Sequence, residues 1–249
     1  MAIKFNKTQL TPEKEFEKHI YHRDQFAHYL RWTHVVNKAR IGDSILDLGC
    51  GTGELLNVYY KNRIRPSLYV GIDIREEVIN KNKAKFEMLN FAMFQSYDLT
   101  IPFNLETTFD VIVCFEVIEH IGHQNIHKLL ENIVTHASKN TKIFISTPNY
   151  KPTVGAADNH ILLNTETGKY EIGEWTREAL EVELQKYFII ENKYGTFASQ
   201  TDYKDEMNEW QKNMYDALKD YYDCNFLSCI MAPLFPNHSR NILWELRVK

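Results

Sequence analysis

The stretch Ile45-Leu46-Asp47-Leu48-Gly49-Cys50-Gly51-Thr52-Gly53-Glu54-Leu55-Leu56 is an apolar run that stops at three glycines in alternate positions, with a helix-compatible segment directly behind them. Such a run predicts a buried strand turning sharply into a helix. Glycine there supplies backbone angles that side chains disfavour and lets the main chain approach a ligand closely. Asp47 stands just ahead of the turn, where it can hold a positively charged group. Dinucleotide-binding proteins use a related turn, but theirs has two residues ahead of the third glycine. Here Gly49, Gly51 and Gly53 are evenly spaced.

Outward from this turn, strand-like and helix-like runs alternate. Strands are expected at 44–48, 68–72, 91–96, 109–115, 142–146, 188–194 and 241–248. Helices are expected at 52–61, 76–88, 124–137 and 176–187, the last capped by Thr176. A long amphipathic helix is expected over 202–222. Before the first strand, 12–38 reads as helix, opened by Thr11-Pro12 and the acids Glu13 to Glu17. This alternation calls for an α/β fold with a parallel sheet and helices on both faces. Residues 149–172 are polar and turn-rich, too long for an ordinary connection and therefore a candidate functional loop.

The Asp-x-Gly-x-Gly-x-Gly form of residues 47–53 resembles the first motif of the class I S-adenosylmethionine-dependent methyltransferases. Further motifs follow in the expected order over residues 40–195. The resemblance implies a doubly wound, seven-stranded, mostly parallel sheet whose last strand runs antiparallel. It divides the chain into an N-terminal helical cap, 1–38, and a methyltransferase domain, 39–249, with insertions near 149–172 and 202–240 covering the acceptor site. It also implies S-adenosylmethionine as cofactor. The turn, with Asp47, Gly49, Cys50, Gly51 and Gly53, would face the methionine portion. Asp73, ending Tyr69-Val70-Gly71-Ile72-Asp73, can accept from both ribose hydroxyls, and Asp98 in Ser96-Tyr97-Asp98-Leu99 would accept from the adenine amino group. Ile74, Tyr97 and Leu99 would sandwich the adenine ring, and Phe115 completes the cofactor set.

The fourth strand runs into Phe115-Glu116-Val117-Ile118-Glu119-His120, where methyl acceptors sit in this family. Methyl transfer is an in-line displacement, demanding positioning and removal of the acceptor's proton. His120 is the candidate general base, since imidazole titrates near working pH, and Glu119 is the second catalytic candidate. On this reading no metal is needed, and the methyl group goes to an oxygen or nitrogen of a small-molecule acceptor. An alternative stands beside it. Glu116, Glu119 and His120, with Thr147-Pro148-Asn149 and Glu174-Trp175-Thr176-Arg177, resemble the metal-ligand set and flanking strings of methyltransferases that modify the terminal 2′-hydroxyl of small RNAs. That family has a histidine four residues before the tryptophan. Here the position is Glu171, and either it or His160 would have to complete a divalent-metal site.

The rim of the acceptor pocket is expected from Tyr21, His22, Arg23, His28, Tyr29, Arg31 and Trp32 in the cap, and from His238 and Arg240 in the last excursion. The strings typical of DNA base methylation are absent. A net charge of −4, from 33 acids against 29 Lys and Arg, argues against a broad electrostatic footprint for nucleic acid. It leaves a local basic groove open. The 4 cysteines lack metal-ligand spacing, and no leader or membrane-spanning run is evident, so a reduced, cytoplasmic protein without a membrane partner is expected.

Overall fold

The computed structural model describes residues 23–153, 160–196 and 201–249. The expectations for Thr11 to Glu17, Tyr21 and His22 lie outside the described residues, and of the cap only α1 (Arg23–Lys38) is described.

At the centre of the sheet, β1 (Ser44–Leu48) pairs in parallel with β2 (Leu68–Asp73) on one side and β4 (Phe109–Phe115) on the other. Beyond β2 lies β3 (Ala92–Ser96), and beyond β4 lies β5 (Ala137–Pro148), both parallel. The last strand, β9 (Asn241–Val248), inserts antiparallel between β5 and β8 (Phe188–Gly195). The order is therefore β3-β2-β1-β4-β5-β9-β8, the seven-stranded and mostly parallel sheet that the sequence calls for.

Strands buried on both faces read as nearly continuous apolar runs, and alternate residues serve opposite cores. Leu46, Leu48, Ile112 and Cys114 pack on one face with α5 (Ile126–Thr135) and α6 (Arg177–Tyr187) through Leu129, Ile133, Leu180 and Leu184. On the other face, Ile45, Val111 and Val113 meet α1, α2 (Glu54–Lys61) and α3 (Glu76–Lys85) through Val35, Leu56 and Ile79. A four-residue helix, α4 (Ile118–Ile121), follows β4.

Two expectations change. Residues 149–172, read as a loop, include a hairpin of β6 (Ile161–Leu163) and β7 (Tyr170–Ile172), too short and exposed to show a period in sequence. The long helix over 202–222 is interrupted. Asn208 caps a fresh start, accepting from Gln211 N while Gln211 Oε1 accepts from Asn208 N, and α7 (Glu209–Leu218) begins there. The next helix, α8 (Cys224–Met231), packs on α1 through an edge-to-face contact of Phe226 with Phe26.

The glycine turn is held by Gly49 N and Cys50 N, which both donate to Ile72 O of β2. Gly49 has φ 77°, and a Cβ on it would stand 2.2 Å from Val117 Cγ2, at the turn after β4. Gly49→Ala therefore combines left-handed strain with overpacking, and should lower stability by about 2–4 kcal/mol in a urea melt. A loss below about 0.5 kcal/mol, the scatter of ordinary surface changes, would mean that the two turns are not locked together.

Candidate functional site

Two cavities open at the C-terminal ends of the strands and share Gly49. One, of about 410 Å³, is lined by Asp73, Ile74, Tyr97, Asp98, Leu99 and His120 among others. The other, of about 480 Å³, is lined by Asp47, Cys50, Gly51, Phe115 and the cap residues His28 and Trp32. Of the cofactor set named from sequence, only Gly53 lines neither. It starts α2 at φ 73°, packed against Phe86.

Each acid has a distinct setting. Asp47 is buried and accepts from the Tyr69 hydroxyl at 2.5 Å. Burial pushes its carboxyl up to about 7, Tyr69 opposing this and Asp73 adding to it. Asp73 ends β2 and accepts from Gly51 N, Arg75 N, Arg75 Nε and Arg75 Nη2, at 2.9 to 3.0 Å. Burial opposes ionisation there, but the Arg75 hydrogen bonds prevail and hold the carboxyl below its ordinary value. Asp98 accepts from Thr100 N and Oγ1 through one oxygen, Oδ1. The set suits a ligand with a cationic end, a diol and an amino-bearing ring, which describes S-adenosylmethionine. Arg75 gave no signal in sequence. Its fork covers both Asp73 oxygens, so a diol has to displace it.

The end of β4 separates the two carboxylates. Glu116 takes φ 55°, a left-handed turn uncommon outside glycine. Its Oε1 accepts from Ser146 Oγ and pairs with Arg31 Nη1 at 3.1 Å, and Oε2 accepts from Asn241. Arg31 is buried in α1 and also bonds His28 Nδ1 at 2.8 Å and Thr196 Oγ1 at 3.4 Å. Desolvation, then Arg31, lowers the His28 pKa to about 4. One helical turn beyond Glu116, Glu119 accepts from Thr147 Oγ1 at 2.8 Å in a buried pocket. Burial first, and the Glu116 charge next, push its carboxyl up to about 8. Burial also lowers the His120 pKa, with His160 adding to the effect.

His160 arrives from the base of the β6–β7 hairpin. Its ring meets His120 edge to face at 4.6 Å, and Glu119, His120 and His160 offer ligand atoms within 4.8 Å of one another. Its Nδ1 lies 3.1 Å from Glu174 Oε1, which leaves Nε2 for the cluster. Gly173 makes this possible, because a Cβ there would be 2.1 Å from Glu119 O. Glu171 stays outside, its carboxylate taken by Asn164 Nδ2 at 3.1 Å to each oxygen. Arg240 lies 3.7 Å from Glu174, while His238 turns to Glu206 and Thr201. In the cap, Tyr29 is exposed, and the side chain of Arg23 lies outside the described residues.

Residues 21–211 match a family model described as a methyltransferase domain, and the chain belongs to that family. The ubiquinone biosynthesis O-methyltransferase of Coxiella burnetii is 29% identical over 128 residues, covering 47% of this chain and 52% of that protein. The small RNA 2′-O-methyltransferase of Mus musculus is 29% identical over 174 residues, covering 61% of this chain and 42% of that protein. The chain thus spans about half the length of the curated relatives it matches. Among solved structures, the methyltransferase domain of bacterial CtHen1 superposes with a TM-score of 0.56 at 17% identity, covering 89% of this chain and 99% of that one. The PH0226 protein of Pyrococcus horikoshii gives 0.57 at 12%, covering 96% and 100%. These share the fold, that of the class I S-adenosylmethionine-dependent methyltransferases. No helix among the described residues is long and apolar enough to cross a membrane.

Two outcomes follow for the cofactor. If Asp47 meets the ligand's ammonium, ionisation of its carboxyl, pushed up to about 7 by burial, is coupled to binding. Affinity for S-adenosylhomocysteine should rise with pH up to about 7, then fall only in distinctly alkaline solution, where the ligand's free amino-acid ammonium, which titrates above a chain terminus, loses its proton. Asp47→Asn should remove the lower limb, and calorimetry across that range reads both; a flat wild-type profile removes Asp47 from the contact. Asp73→Ala should weaken cofactor binding at least tenfold, from two charge-assisted bonds worth roughly 1.5–3 kcal/mol each. Arg75→Ala should leave affinity unchanged or tighter, and a loss comparable to that of Asp73→Ala would make Arg75 part of the cradle.

Proposed function

We propose that the protein transfers the methyl group of S-adenosylmethionine to the 2′-hydroxyl at an RNA terminus, with a divalent cation held by Glu119, His120 and His160. The observation that carries this reading is the convergence of those three side chains beside the cofactor cavity. The donor set fits such an ion. Two imidazoles and one carboxylate are a mixed nitrogen and oxygen set, suited to Mn²⁺ more than to Mg²⁺. Burial disfavours the ionised form of Glu119, and a cation beside it would compensate that cost. The Glu174 contact to His160 Nδ1 fixes the tautomer that presents Nε2. The similarity to the mouse small RNA 2′-O-methyltransferase supports the same acceptor class.

Bound there, the cation would polarise the acceptor hydroxyl as a Lewis acid. The chain's own residues supply the rest. Thr147 orients Glu119, while Arg31, Ser146 and Asn241 occupy Glu116 and leave the ligand role to His160. His120 lines the cavity of Asp73 and Asp98 as well as the metal cluster, so it stands where donor and acceptor meet. The cap and the excursions 149–172 and 202–240 cover the acceptor. In support, α1 supplies Arg31, the hairpin supplies His160, and Arg240 lies against Glu174.

The small-molecule reading has support in the ubiquinone biosynthesis relative. Metal dependence separates the two. Glu119→Gln and His160→Ala should each lower Mn²⁺ affinity at least tenfold in calorimetry, whereas Glu116→Gln should change it less than about threefold. Methylation of a short RNA with a free terminal diol should stop with chelator and return with Mn²⁺. Turnover that persists in chelator, with His120→Ala slower by roughly 10²–10⁴-fold, would instead make His120 a general base in a metal-free mechanism.

A further inference from the structure

A third cavity, of about 620 Å³, lies at the opposite end of the sheet. Its walls are the loops that lead from α2 into β2 and from α3 into β3. It therefore sits beyond the N-terminal ends of those strands, at the far end of β2, roughly 17 Å from Asp73 at 3.3 Å per residue. None of the residues lining it is acidic, although the chain as a whole is, and three are cations: Lys61, Arg63 and Arg65. The side chains of Lys61 and Arg63 make no hydrogen bond or ion pair among the described residues. Arg65 lies with its guanidinium carbon 5.0 Å from the centre of the Phe91 ring and bonds Asn90 Oδ1 at 3.2 Å, which holds it in place at the wall. Tyr60 and Met88 stand at the mouth, 68% and 87% exposed, in positions where neither contributes to the core.

The backbone adds an independent observation. Asn62 ends α2, and the following residue, Arg63, takes φ 57°. Helices usually end with glycine in that left-handed position, because a side chain there is strained. Lys61, in the last turn, suits the negative helix end by itself. That account does not extend to Arg63, which carries a long cation at a strained position, nor to Arg65, which lies outside the helix.

We propose that this cavity is a second, non-catalytic binding site for a nucleotide. The phosphate would lie between Lys61 and Arg63, with Arg65 behind them, and the base would pack on Tyr60 and Met88. The chemistry is complementary throughout: a multivalent anion for cations with no acidic partner among the described residues, and a planar ring for an exposed aromatic. The volume falls within the range of small-ligand sites. The nucleotide can be free, or it can be one unit of a single-stranded chain crossing this face, and the two sources are separable by experiment.

The test uses the full chain saturated with S-adenosylhomocysteine, so that the cofactor cavity is closed to the probes. These are adenosine monophosphate and a short oligoadenylate, titrated calorimetrically at several salt concentrations. Wild type should bind the monophosphate saturably, and Lys61→Gln with Arg63→Gln should weaken it at least tenfold while leaving S-adenosylhomocysteine affinity intact. If oligoadenylate affinity falls as well, with a salt slope shallower by about one to two, the site holds a unit of a polynucleotide. If only the monophosphate is affected, it serves a free nucleotide. Arg63→Gly guards against a merely structural role. Relief of strain should raise the melting temperature by about 2–4 °C while binding is still weakened. Absence of monophosphate binding to wild type, or binding unchanged in the double variant, overturns the proposal. No readout involves methyl transfer or metal, so the result stands apart from the acceptor chemistry proposed above.

Discussion

Pairing of β1 with both β2 and β4 is the constraint on which everything else depends. At that point the strand order reverses, and the connections leaving β1 and β4 depart to opposite faces. A crevice must then open at the C-terminal ends of these strands, the place where open α/β sheets bind ligands. Gly49 lies at its centre and lines both cavities. Because Val117 fills the space a Gly49 side chain would need, the turn after β1 and the turn after β4 are one packed unit. The two turns consequently cannot move independently.

The second organising contact is the ion pair of Arg31 with Glu116. Both groups are largely withdrawn from water, so losing either partner would leave an uncompensated charge, at a cost of about 3–5 kcal/mol. Arg31 belongs to α1 and Glu116 to the end of β4, and the pair therefore fastens that helix to the strand end. It also decides which carboxylate is available. Glu116, turned by its positive φ, is committed to Arg31, Ser146 and Asn241, and Glu119 is left facing the two histidines. The Arg31 Nε has no partner among the described residues, a sign that position rather than full hydrogen bonding keeps this side chain where it is.

The hairpin works by close approach. Its strands are three residues each and largely exposed, so it has little stability of its own. It is anchored at its base, where Gly173 N donates to His160 O and the chain runs against Glu119 O. This brings Glu174 and His160 to the cluster together.

Much of this was legible in the sequence for local reasons. The glycine turn is a contiguous string, the strands are apolar runs bounded by turns, and Asp47, Asp73 and Asp98 follow successive strands, so their arrival at one edge follows from parallel topology alone. The β-α alternation with a final strand likewise specified the sheet. Tertiary structure decided the rest, because it depends on contacts between residues far apart in the chain. Nothing near Glu116 announces that Arg31 will claim it, nothing near Asp73 shows Arg75 folding back over it, and the spacing that pointed to Glu171 gave way to His160. Those choices are made by packing. The missing side chain of Gly173, the left-handed turn at Glu116 and the burial of Arg31 have meaning only once the elements meet.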